Sequence, residues 1–237
     1  MKIDPADHGC SYKPTSTFNI NAHFIAPNPK TTFSPKSGRP IIDPTAYIGP
    51  FSSIIGEVTI RKNVFIAPNV SVRADEGFPF FIDSDTNLQD GVILHGLAHG
   101  RVMKDGNVYS IYIGRHVSCA HGSIIHGPCK LGDNVFVGFH SIIYNAVIGD
   151  GCYISFNALV TDGVQVAPNR FVPTGVVIDT QLKADALGYV PRNHIEFAQE
   201  VQHVNNEFPT AYSLLFGATR CSCGLSCDPD SLKPILG

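Results

Sequence analysis

The sequence predicts an all-β protein: a triangular β-solenoid of about seven coils, followed by C-terminal helices. Three observations predict it. Aliphatic residues recur every six positions through four blocks of sequence. Glycine follows the aliphatic residue at Gly49, Gly114, Gly132, Gly138 and Gly149. Near Gln181 the six-residue beat stops and a helical spacing replaces it.

Residues 1–40 are polar, rich in Pro, Ser and Thr, and without a period, which reads as a flexible or surface-draped arm. The solenoid spans residues 41–180. Its beat runs through Ile42, Ile48, Ile54, Ile60, Ile66 and Val72, then Ile82, Leu88 and Leu94, then Ile113, Cys119, Ile125, Leu131, Val137 and Ile143. After a one-residue slip it continues through Ile148, Ile154, Val160, Val166, Val172 and Ile178. A period of six fits neither a helix nor a hairpin meander and marks a hexapeptide-repeat solenoid. Each hexad supplies one short strand and a corner, and three hexads close one coil. The aliphatic residue points into the prism, while Gly and Asn take the corners. Twenty-one beats make seven coils. There are two insertions: four residues between Val72 and Ile82, and thirteen between Leu94 and Ile113, around LAHGRVMKDGNVYS.

Residues 181–217 read as helices packed on the solenoid, QLKADAL and then NHIEFAQEVQHVNNEF. In the second, Ile195, Ala198, Val201 and Val204 recur at helical spacing, and Asn193 is the expected N-cap. Residues 218–237 form a tail containing CSCGLSC.

Composition narrows the function. Of the 237 residues 16% are charged, the net charge is −3, and the largest basic cluster is Arg61-Lys62. A nucleic-acid partner is therefore not expected. No apolar run approaches the ~20 residues of a membrane span. The start, MKIDPADHGCSYK, lacks the apolar stretch of a secretory signal, so the expected location is cytoplasmic. Seven scattered cysteines argue against a secreted disulfide scaffold.

Three of the ten histidines stand apart by repeat arithmetic. His95 follows the beat residue Leu94, and His126 follows Ile125, one full coil later. They occupy one slot on adjacent coils, and strands ~4.8 Å apart let two stacked imidazoles reach one metal. His121 sits two residues after Cys119, in a different hexad and on a neighbouring prism face. It does not easily reach the same metal within one chain, and a threefold packing of prisms face against face would let His121 of a neighbouring copy complete the site. The spacing thus points to a three-histidine site at the interfaces of a homotrimer, with an open fourth position of the catalytic kind. Arg73 shares the slot of His95 one coil earlier. Asp75 and Glu76 lie in the bulge behind it, Gln89 follows Leu88, and Asp90 stacks under His121. Arg73 with Asp75 reads more as a salt bridge that locks assembly than as catalytic machinery. Walker A, GxSxG, HExxH and CxxC patterns are absent.

VRADEG (72–77), TNLQDGVILHG (86–96) and CAHGSIIHGP (119–128) resemble the γ-class carbonic anhydrases, over about residues 41–208. The branch most resembled is the N-terminal domain of carboxysome assembly proteins. The resemblance implies a trimeric left-handed β-helix with His95 and His126 from one subunit and His121 from the next around one metal. Zn²⁺ is the default, and such imidazole sites also take Co²⁺ or Fe²⁺. The resemblance further implies that Gln89 holds the metal-bound hydroxide, Glu76 relays protons, Asn205 faces the site from the helix, and Arg73 and Asp75 join subunits; Asp90 is placed behind His121 as its support by the repeat arithmetic alone. Cys221 and Cys227 match a cysteine pair that the carboxysomal branch carries after its helix, implying a disulfide linked to the active form. Ordinary reduced thiols and a partial metal site remain the alternatives for these residues. The implied partners are CO2 and bicarbonate, with carboxysome-type assembly partners and a location inside such a compartment.

The chain departs from the archaeal-type enzymes at two positions. A glutamate three residues after the first ligand is Ala98 here, with His99 beside it, and a helix tyrosine is His203. The activity implied is reversible CO2 hydration. Two rivals stand beside it: a non-catalytic trimeric scaffold with a vestigial metal site, and a hexapeptide acyltransferase.

Overall fold

The computed structural model describes residues 24–216. Its short strands stack in parallel on three faces, as the beat requires. The histidine face carries Phe24–Ala26, Ser53–Gly56, Ser71–Ala74, Ile93–His95, the first parts of Ile124–Leu131 and Ile142–Ile148, then Leu159–Val160 and Val177–Ile178. The helix face carries Tyr47–Ile48, Phe65–Ile66, Asn87–Leu88, Ser118–Cys119, Phe136–Val137, Tyr153–Ile154 and Phe171–Val172. The third face begins with Ile41–Ile42, Val58–Ile60, Phe80–Ile82 and Ile111–Ile113. The beat residues fill the interior, and all but Ile42, at the end of the stack, are buried. Such apolar burial is the main source of stability for a stack of strands this short.

The histidine face holds eight strands, so the solenoid has about eight turns where the beat predicts seven. The eighth strand is Phe24–Ala26, which pairs with Ser53–Gly56. The expected arm over residues 1–40 is therefore part of the fold from residue 24 onward. Asn28 pins this entry: it is buried, its Oδ1 accepts from Gly38 N at 2.7 Å, and its Nδ2 donates to Lys36 O at 3.0 Å.

The one-residue slip has a local cause. Between His126 and Cys129, Gly127 and Pro128 lie opposite the single residue Asn145, and the pairing resumes with Cys129 opposite Ala146. Left-handed corner residues also stack in columns, Asn63, Asp85, His116, Asn134 and Asn169 among them. Short polar side chains tolerate this conformation. His116 and His140 are corner residues of this kind. The thirteen-residue insertion forms a hairpin, Val102–Lys104 against Asn107–Tyr109, around an Asp105-Gly106 turn with both φ positive.

Helix α1 (Gln181–Asp185) is capped by Thr180. Helix α2 (Arg192–Phe216) begins earlier than expected: the Pro191 carbonyl accepts from His194 N and Ile195 N, so Asn193 lies inside the first turn and is not the N-cap. Proline is suited to a helix start because its φ is already helical. The helix also runs on through Pro209 to Phe216, within the expected helical span of residues 181–217. Of the four regularly spaced apolar residues, Ala198 and Val201 pack on Phe136 and Tyr153, while Ile195 and Val204 are 43% and 44% exposed. Phe208 and Tyr212 close on Phe65, with Tyr212 also against Tyr47. No helix among the described residues is long and apolar enough to cross a membrane.

Candidate functional site

Two separate clusters gather the residues singled out by the sequence. The first lies on the histidine face. His95 pairs in register with His126 on one side and with Arg73 on the other. The imidazoles approach closely, with His95 Nδ1 3.3 Å from His126 Nε2. The bulge between Val72 and Ile82 brings acids to the same ring. Asp75 Oδ1 is 3.1 Å and Glu76 Oε1 3.4 Å from His95 Nε2. Arg73 Nη1 donates to Asp75 Oδ2 at 2.9 Å within the chain. His126 Nδ1 faces the Gly127 carbonyl at 3.2 Å. Behind it, the Cys129 thiol donates to the His126 carbonyl at 3.1 Å. Burial pushes that thiol up to about 12, so it is a neutral structural donor.

The column continues with a residue that sequence reasoning missed. Tyr144 pairs with His126 on the next coil, ring centroids 5.4 Å apart. The signal was present, since Tyr144 directly follows the beat residue Ile143 and so shares the slot of His95 and His126.

The second cluster lies where the helix face meets α2. His121 Nδ1 is 3.1 Å from Asp90 Oδ2, the stacking the repeat arithmetic gives. Both line a cleft of about 470 Å³, together with Gln89, Asn205, Phe139 and Val201. Gln89 is buried, and its Nε2 donates to Asn87 Oδ1 at 3.1 Å. Asn205 is buried too, its Nδ2 donating to Val201 O at 2.9 Å within the helix. The cleft is apolar over most of its wall, with a polar edge at His121, Asp90, Gln89 and Asn205.

Within one chain, then, the structure brings His95 to His126, Asp75 and Glu76, and His121 to Asp90, Gln89 and Asn205. It does not bring His121 to the other two histidines. Among the described residues, no group of three His, Cys, Asp or Glu side chains could hold a metal ion. Cys221 and Cys227 lie outside the described residues, as does Cys223. Cys119, Cys129 and Cys152 are buried free thiols.

Comparison with known proteins fixes the class. A hexapeptide transferase family protein from Anaplasma phagocytophilum superposes with a TM-score of 0.61 at 25% identity, covering 80% of this chain and 98% of that one. A Bacillus cereus protein thought to be an acetyltransferase gives a TM-score of 0.65 at 22% identity, over 82% and 99%. These define a parallel hexapeptide-repeat solenoid with a C-terminal helix. The carbonic anhydrase of Methanosarcina thermophila is 40% identical over 173 residues, covering 69% of this chain and 70% of that protein. The carboxysome assembly protein CcmM of a Nostoc strain is 43% identical over 185 residues, covering 78% of this chain and 33% of the relative. No family model matches. The chain belongs to the γ-class carbonic anhydrase family. It spans about a third of the length of the Nostoc CcmM, and 25% of that from a Synechocystis strain.

Proposed function

We propose that this chain hydrates CO2 reversibly to bicarbonate at metal sites shared between the subunits of a left-handed, β-helical homotrimer. One observation carries the reading. The histidine face holds two imidazoles with their acids, the corner beside α2 holds the third imidazole with Gln89 and Asn205, and neither half is complete alone. The histidine face also carries an outward apolar stripe along its stack, with Ile93, Ile142 and Val177 between 36% and 42% exposed. A second copy would cover such a stripe. Arg73 and Asp75 lie on the same face and are suited to pairing with that copy.

The donor set fits a metal. His95 Nε2 is turned to Asp75 and Glu76, and His126 Nδ1 to the Gly127 carbonyl. With a proton on each of those nitrogens, the lone pairs of His95 Nδ1 and His126 Nε2 point at one another, the arrangement of ligating histidines oriented by outer acceptors. His121 of the adjoining subunit would complete an all-imidazole set suited to Zn²⁺, Co²⁺ or Fe²⁺. A bound metal of this kind lowers the pKa of its water from about 15.7 to ~7. The chain's own groups do the rest. Gln89, its Nε2 held by Asn87, offers Oε1 as an acceptor at the cleft edge. Glu76, partly open to solvent, takes the proton released when CO2 and water become bicarbonate and passes it outward. Phe139, Val201 and the adjoining apolar wall hold CO2 and keep excess water away.

A second reading rests on Ala98. With no acid at that position, proton export falls to Glu76 and to His99 or His203, and a slow or non-catalytic scaffold is the rival. The likeness to carboxysome assembly proteins supports assembly partners and a compartment of that type. We also assign Cys221 and Cys227 to a disulfide that favours the active form. Metal analysis with stopped-flow CO2 hydration on oxidised and reduced protein tests the reading. We expect close to one metal per subunit and hydration that is faster in the oxidised protein. Hydration in neither form would leave the scaffold reading.

A further inference from the structure

The helix face has a polar break in its outer surface. Along the stack, Tyr47 and Phe65 lead to Asn87 and Ser118, and then to Phe136 and Tyr153. Asn87 and Ser118 are 1% and 2% exposed under α2. Buried polar side chains in an aromatic ladder cost stability unless their hydrogen bonds are made. They sit on the two coils that carry Gln89 and His121.

Helix α2 meets the break with Gln202. Its Oε1 accepts from Ser118 Oγ at 3.0 Å and from Asn87 Nδ2 at 3.3 Å. Its Nε2 donates to the Asp85 carbonyl and to Asn206 Oδ1, the latter at 2.8 Å. Asn63 Nδ2 ties the same turn of helix to the corner column, donating to Asn206 O at 3.1 Å. With both ends of its carboxamide engaged, Gln202 cannot turn over without losing bonds at each end. The constraint passes to Asn87. Its Nδ2 donates to Ser118 Oγ at 2.8 Å as well as to Gln202, so both hydrogens are used and Oδ1 must face the other way. There it accepts from Gln89 Nε2 at 3.1 Å. Among the described residues, Gln89 Oε1 has no such partner, and it is the end left for the cleft that holds His121.

We propose that Gln202 is a positioning residue: acting through Asn87, it fixes which end of the Gln89 carboxamide faces the cleft. The inference rests on reading that cleft as half of the CO2-hydrating site. A glutamine that merely anchored the helix would need no bond to Asn87. The direction of every amide in the relay would then be free.

Two variants of the full chain separate the roles. Gln202→Met keeps the length and loses all four bonds. Gln202→Glu keeps the acceptor towards Asn87 and Ser118 and loses only the donors. Gln202→Met should slow CO2 hydration about tenfold, the scale of one misplaced hydrogen bond, with metal content unchanged, and should cause no further loss in a Gln89→Ala background. Gln202→Glu should hydrate CO2 at close to the wild-type rate even as its melting temperature falls. The Gln89 side-chain amide signals in ¹⁵N-labelled protein give a readout independent of activity, expected to shift in Gln202→Met and to persist in Gln202→Glu. An equal rate loss with and without Gln89, or an amide signal that Gln202→Met leaves unmoved, overturns the proposal. So does a Gln202→Glu variant about tenfold or more slower than the wild type, and this arm decides if Gln202→Met fails to assemble. If the wild type hydrates no CO2, the site reading falls, and the amide signals alone decide the role of Gln202.

Discussion

His95 Nδ1 lies 3.3 Å from His126 Nε2, on residues paired in register on neighbouring parallel strands. The pairing follows from the repeat, because three hexads separate the two residues once the inserted hairpin is set aside. Below the pair, Leu94 and Ile125 are wholly buried, so the core fixes the strands that carry both rings.

The coupling of site to core gives a stability prediction. Leu94→Ala removes a fully buried side chain next to His95 and should cost roughly 2–5 kcal/mol. Met103→Ala, at a position 63% exposed on the inserted hairpin, should stay within about 0.5 kcal/mol. Denaturant unfolding of both variants checks the contrast. Equal losses would mean the hairpin contributes to the core.

Glu76 lies beside His95 and Gln89 shares the cleft of His121, and on the proposed function their removal should act alike. Glu76→Ala and Gln89→Ala should each slow CO2 hydration about 10- to 100-fold while metal per subunit stays at the wild-type level. Stopped-flow rates read beside metal analysis decide the point. Metal lost in step with activity would make these residues supports for the ligands.

The buried thiols set an alkaline limit. Burial pushes Cys119 and Cys129 up to about 12 from an ordinary 9.0, and the Tyr47, Tyr112 and Tyr153 phenols up to about 12 from 10.0. Raised values mean that the folded protein holds these protons more tightly than the unfolded chain. Their contribution is complete below about pH 9 and is lost as pH rises towards 12. Melting temperature should therefore fall steadily above pH 9. At pH 8 a thiol reagent should leave Cys119, Cys129 and Cys152 unmodified until the protein unfolds, as mass mapping can establish. Modification of the native protein at these positions would contradict their burial.

The sequence makes the solenoid legible because the prism interior accepts little except aliphatic side chains, which forces a beat that survives two insertions. The same arithmetic places His95 over Arg73, His126 over His95, and His121 over Asp90. Other features escape it for physical reasons. The Phe24–Ala26 strand lies off the beat, separated from Ile42 by an irregular loop that Asn28 braces. The Asp105-Gly106 turn carries a hairpin signal, but it falls inside an interruption where no periodicity guides the reading. Pro191 displaces Asn193 from the cap through a local preference that competes with asparagine. The relay from Gln202 to Gln89 depends on how α2 is set against the sheet, which aromatic packing at both ends decides and no spacing in the helix reveals.

On the proposed function the two halves of the site belong to different subunits, and reassembly of mixed subunits is the decisive measurement. His95→Ala and His121→Ala homotrimers should each lack a complete three-histidine site. When the two proteins are dissociated together and reassembled, a mixed trimer has one interface at which an intact His95–His126 pair faces an intact His121. Reassembled mixtures should regain part of the bound metal and part of the CO2 hydration, while each variant reassembled alone regains neither. Mixed trimers, verified by mass, that recover neither metal nor activity would contradict the shared site.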